Sequence, residues 1–101
     1  MRQSATQHIV NKRAMVEMER AGVDAAIGWL AGAIETTPGM LYFHPFPWVD
    51  TLGAEDLAQL AQAVDAAYER RIDSKPADAE LLTRYRAIIA RVFENELREG
   101  N

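Results

Sequence analysis

The chain has 101 residues, a mass of 11.3 kDa, a formal charge of −4 and a pI ≈ 5.1. Its length sets one domain around one core, and 49% hydrophobic with 26% charged residues excludes a disordered or fibrous chain. The absence of cysteine excludes disulfides, thiolate metal sites and thiol nucleophiles, and no apolar run reaches the ~18 residues of a membrane span.

The first helical region is expected over about residues 4–36. Ser4 or Thr6 is placed to cap it. Ile9, Val16, Val23, Ile27, Leu30 and Ile34 recur at helical spacing and mark a buried stripe. Met15, Met18, Ala25, Ala26, Trp29 and Ala33 widen it until the region is apolar around much of its girth. Two readings of Gly22 stay open. It ends one helix, with Asp24 capping the next, or it sits inside one long helix at a cost of about 1 kcal/mol against Ala. Gly28 and Gly32 are four apart, a spacing that lets another backbone come close.

The helical pattern stops over residues 37–52. Thr37-Pro38-Gly39 is a turn signal, and Pro45 and Pro47 forbid a regular helix and push the residues before them to extended backbone. Four of the eight aromatic residues, Tyr42, Phe43, Phe46 and Trp48, fall in this one loop. Two readings follow. The loop folds down as a lid on the helices, or it presents its rings, with His44, to a partner; rigid aromatics are enriched at interface hot spots. The expected arrangement turns Phe43 and Phe46 inward and His44 and Trp48 outward. The candidate partner-binding residues are therefore Tyr42, Phe43, His44, Phe46 and Trp48.

The next helix is expected over about residues 53–72. Glu55 and Asp56 complement the dipole of its first turn, and Arg70 and Arg71 that of its last. Leu60 and Val64 belong to its buried face. A short break at Ser74-Lys75-Pro76 leads to a last helix over about residues 77–99, antiparallel to its neighbour. Its apolar face is Leu81, Leu82, Tyr85, Ile88, Ile89, Val92, Phe93 and Leu97. Arg84, Arg91 and Arg98 lie seven apart on an exposed stripe and are the candidate anion-contacting residues. Interleaved Glu80 and Glu94 stand at the i,i+4 spacing of helix salt bridges. The fold class expected from these segments is all-α: a small bundle of three to four helices with an aromatic, proline-rich loop between them, forming one domain over residues 1–101.

Charge is uneven along the chain. Residues 1–20 carry a net +2, residues 21–67 have no Lys or Arg and a net −6, and the remainder balances. This is not the basic footprint of a nucleic-acid binder. Abundant alanine, and arginine well in excess of lysine, fit a GC-rich bacterial or phage origin. The N-terminus lacks the layout of a signal peptide, so a cytoplasmic location is expected.

Motifs for chemistry are missing. The two histidines, His8 and His44, have no metal-ligand spacing, the glycines form no phosphate loop, and neither Ser4 nor Ser74 has a base partner in sequence. The expectation is a non-enzyme without catalytic residues, metal or cofactor: a protein–protein interaction module acting by surface contact, as adaptor, chaperone, inhibitor or assembly factor. A first region hydrophobic on two faces points to a homo-oligomer, a two-fold dimer first, with Met15, Met18, Ala25, Trp29 and Ala33 as the candidate interface. Two alternatives stand beside it. One is a small-ligand binder with a pocket of Trp29, Tyr42, Trp48 and Tyr68, to which the arginine stripe could contribute. The other is nucleic-acid binding through the arginine stripe.

Overall fold

A glycine sets the course of the first third of the chain. Gly22 has φ 94° and ψ −179°, backbone that an L side chain rarely adopts. Its N–H closes the last turn of α1 (Ala5–Ala21) on Met18 O, and its C=O opens α2 (Val23–Thr36) on Ala26 N. One residue thus ends one helix and caps the next. Asp24 is not the cap; it lies in the first turn of α2 and accepts from Gln59 of a later helix. The two helices fold back on each other, with Trp29 Nε1 donating to Val10 O.

The computed structural model describes residues 5–38, 40–45 and 48–99. Ser4 and Phe46 lie outside these. After α2 the chain runs without regular structure over residues 40–45. It then forms a single helical turn, α3 (Trp48–Thr51), closed by Leu52 N on Trp48 O. Helix α4 (Ala54–Ser74) starts after Gly53, as the sequence indicates. A 3₁₀ turn (Pro76–Asp78) leads into α5 (Ala79–Glu99). The fold is all-α, four main helices packed as a bundle, with no strand among the described residues. No described helix is long and apolar enough to cross a membrane.

Packing is serial: α1 on α2, α2 on α4, α4 on α5. Leu60, Val64 and Ile89 are buried and Tyr85 and Val92 half-buried, whereas Ile88, read as part of the apolar face, is 45% exposed because it lies on the side of α5 away from Leu82, Ile89 and Phe93. Arg86 clamps the same pair, with Nε and Nη2 on the two Asp65 carboxylate oxygens at 2.7 and 2.8 Å. The guanidinium beside Asp65 holds its carboxyl below the usual range.

The largest correction to the sequence reading is the orientation of α1. Its buried residues are Gln7, Val10, Asn11, Ala14 and Glu17. Ile9 and Val16, read as core, are 66% and 50% exposed. The seven-residue spacing from Val16 to Val23 crosses Gly22, and the non-helical backbone there resets the helical phase. With that link removed, the stripe inferred for the first helix has no continuation in the second.

Candidate functional site

The polar face of α1 points inward because the loop needs it. Residues 40–45 have no regular structure, so no helix or sheet ladder satisfies their backbone groups, and such groups need partners when buried. Side chains supply them. Gln7 Nε2 donates to His44 O and Gln7 Oε1 accepts from His44 N, both at 2.9 Å, a two-bond pairing like that between strands. The Tyr68 hydroxyl accepts from Phe43 N and donates to Leu41 O, both at 2.8 Å. Arg71 Nη1 donates to the carbonyls of Ile34, Thr37 and Met40. Arg71 thus serves the C-terminal end of α2, not that of its own helix as its position suggests. Trp48 Nε1 donates to Asn11 Oδ1 at 2.8 Å.

These bonds make the loop a lid. Phe43 and Trp48 are among the largest fully buried side chains of the protein. Trp48 is therefore not turned outward. The side-chain alternation of extended backbone ends where α3 begins, and that helical turn carries the indole into the core. Tyr42 is half-buried, edge-on to Tyr85 with centroids 5.1 Å apart, and its hydroxyl meets His44 Nδ1 at 3.2 Å. Burial lowers the His44 pKa and raises that of Tyr42. Burial also pushes the Tyr68 phenol far up, out of the physiological range. Of the candidate partner-binding residues, then, Phe43 and Trp48 are core, Tyr42 and His44 are half-covered, and Phe46 lies outside the described residues.

Tyr68→Phe tests the lid's latch. It removes one oxygen and strands Phe43 N–H and Leu41 C=O, so unfolding stability should fall by about 1–3 kcal/mol in urea titration. A change within a few tenths would mean that the loop backbone is satisfied in another way.

The surface left open lies elsewhere. Ile9, Lys12, Arg13 and Val16 of α1 and Trp29 of α2 line a shallow groove of about 350 Å³. Trp29 is 37% exposed. Its ring is held by the bond to Val10 and by the Arg13 guanidinium 5.3 Å from its centroid. Arg13 and Arg20 both bond Glu17, and these hydrogen bonds, that of Arg20 first, lower the Glu17 pKa. Of the expected oligomer interface, only Trp29 lines this groove. Met15 is exposed but is not among its lining residues, Met18 and Ala25 are half-buried, and Ala33 is core. Sequence reasoning missed Ile9 and Val16 because it had placed them inside. The signal that could have exposed them is the helical spacing of Gln7, Val10, Asn11 and Ala14, a face defined by size and hydrogen-bonding capacity instead of hydrophobicity.

A second groove, of about 470 Å³, runs along α5 over Arg84, Ala87, Ile88, Arg91, Val92 and Asn95. Arg98 pairs with Glu94 at 2.7 Å, Arg84 reaches Glu80 only at 4.0 Å, and Arg91 has no acidic partner among the described residues. Of the aromatic residues suggested for a ligand pocket, Trp29 stands apart in the α1–α2 groove, while Trp48 and Tyr68 belong to the buried core with Tyr42 packed against it, and Tyr68 lines a cavity of only about 10 Å³ between α4 and α5. Among the described residues no group of three or more His, Asp or Glu side chains is placed to hold a metal ion.

Compared with protein-family models, curated proteins and solved structures, the chain matches none.

Proposed function

We propose that this chain is a small helical protein–protein interaction module of the cytoplasm that works by surface contact, and that its first contact is with a second copy of itself. The observation that supports this reading is the outward groove in which Ile9 and Val16 of α1 and Trp29 of α2 stand exposed beside Lys12 and Arg13. Exposed apolar surface of this kind marks interaction sites in small proteins. A second copy suits the adjoining face of α2. Ala25, Gly28, Trp29 and Gly32 carry no charge, so a two-fold contact centred on α2, and not on the Lys12 and Arg13 of the groove, sets no like charges together. A Cβ added at Gly28 or Gly32 would meet nothing within 4 Å. Nothing inside the chain requires glycine at either position, although each costs the helix about 1 kcal/mol against Ala. A neighbouring helix at close approach would use that space. The dimer would then serve as adaptor, chaperone, inhibitor or assembly factor for a further protein.

Light scattering tests the reading. The expected mass is twice 11.3 kDa at micromolar concentration, falling to 11.3 kDa for Val16→Glu. Gly28→Ala separates the two roles of the face: it should raise the stability of the monomer by about 0.5–1 kcal/mol, as a better helix former, while weakening the dimer. A wild-type mass of 11.3 kDa throughout the micromolar range, or a Gly28→Ala variant that gains stability with unchanged association, would remove the self-contact.

A further inference from the structure

The stripe on α5 is chemically unlike the α1–α2 groove and lies on a different helix. Helix α5 packs against α4 and the 3₁₀ turn, and its core residues Leu82, Ile89 and Phe93 sit on the side facing them. The opposite side carries Arg84, Ile88, Arg91 and Asn95 at spacings of four, three and four, a straight line along the helix one helix wide. Ile88 is 45% exposed between two arginines. Arg84 has only the distant, fully solvated Glu80, and Arg91 no acid at all among the described residues. An aliphatic floor set between under-neutralised cations is a surface for something both apolar and anionic.

We infer that this stripe docks an amphipathic helix of another protein whose aliphatic seam is flanked by Glu or Asp. The charges select against the other occupants. A second copy laid along the stripe would set Arg84 and Arg91 against the same arginines. A nucleic-acid backbone would use the cations but gain nothing from Ile88 and Val92. A helix bearing acids at heptad spacing satisfies both parts: carboxylates reach Arg84 and Arg91, and aliphatic side chains cover Ile88 and Val92.

The test is a titration of the full chain with a labelled three-heptad peptide that has a Leu/Ala stripe flanked on both sides by Glu, followed by anisotropy. Saturable binding is expected, weakened about tenfold by Arg91→Glu, as for an interface arginine, and lost in Ile88→Glu. Both positions are at the surface, so the variants should keep the wild-type circular dichroism and melting midpoint. Binding should also weaken severalfold between about 50 mM and about 500 mM NaCl. Val16→Glu, which opens the proposed dimer, should leave the titration unchanged, so the two proposals fail separately. Equal binding of a peptide with every Glu replaced by Lys would overturn the inference. So would indifference to Arg91→Glu. Tighter binding of duplex DNA or of phosphatidylglycerol vesicles through the same residues would assign the stripe to that ligand instead.

Discussion

Trp48→Ala is expected to cost about 3–5 kcal/mol of unfolding stability, the range of buried aromatic truncations. The indole is fully buried, and its N–H is the partner of Asn11 Oδ1. Removing it opens a large void under the loop and leaves the Asn11 side chain, itself 6% exposed, with its oxygen unpaired. An orphaned buried acceptor adds about 1–3 kcal/mol, so the loss belongs at the upper end of the range. A chain of this size holds only about 5–15 kcal/mol in total, and Trp48→Ala will unfold at low urea. Trp48→Phe keeps most of the apolar volume and gives up only the hydrogen bond. It should lose roughly the orphan cost alone, about 1–3 kcal/mol. In a Trp29→Phe background the remaining Trp48 emission should be that of a buried indole and should shift red only on unfolding. A Trp48→Ala loss under about 1 kcal/mol would put the ring at the surface, where truncations are nearly neutral.

How much of this was legible in the sequence divides along physical lines. The α4–α5 hairpin was readable because each helix has one apolar face and its own stop signals: Glu55 and Asp56 at one end, Lys75-Pro76 between, Leu82, Ile89 and Phe93 at helical spacing. Gly22 announced itself as a candidate break. The loop was visible as an unusual segment, but its role was not, because a lid and a binding edge use the same aromatic residues. What decides between them is the supply of hydrogen bonds to the loop backbone. Those bonds come from Gln7, Tyr68 and Arg71, residues 25 to 37 positions away from their partners. No local periodicity records a pairing at that distance. The same pairing inverts α1. A hydrophobicity pattern places Ile9 inside and Gln7 outside; the cost of unpaired loop amides reverses the preference. The open groove was misplaced for that reason, and its best element, Trp29, was found only because tryptophan is conspicuous anywhere.

The second large effect is expected at Arg71. This residue is buried, yet among the described residues it bonds no carboxylate. Nη1 instead donates at 2.8, 2.8 and 3.1 Å to the carbonyls of Ile34, Thr37 and Met40. Ile34 lies in the last turn of α2, where carbonyls have no intrahelical partner and the helix dipole is negative; Thr37 and Met40 continue the chain into the lid. One cation thus closes a helix end and pins the start of the loop. A hydrogen bond to a charged group is worth about 1.5–3 kcal/mol. Because these share one donor atom they do not add, but Arg71→Met leaves three carbonyls without their donor, and at about 1–3 kcal/mol for each that stays buried the loss should be about 3 kcal/mol or more. Arg71→Lys keeps a charge and three donors but shortens the reach and should recover part of the loss. The dependence on pH distinguishes this clamp from an ion pair. A buried Arg–carboxylate pair would lose its contribution as the carboxylate protonates, so wild type and Arg71→Met would converge in acid. Peptide carbonyls do not titrate. The stability difference between wild type and Arg71→Met should therefore stay constant from neutral pH down into the carboxylate range, for as long as both chains remain folded. Convergence of the two urea midpoints on acidification would show that a carboxylate, not these three carbonyls, is what Arg71 holds.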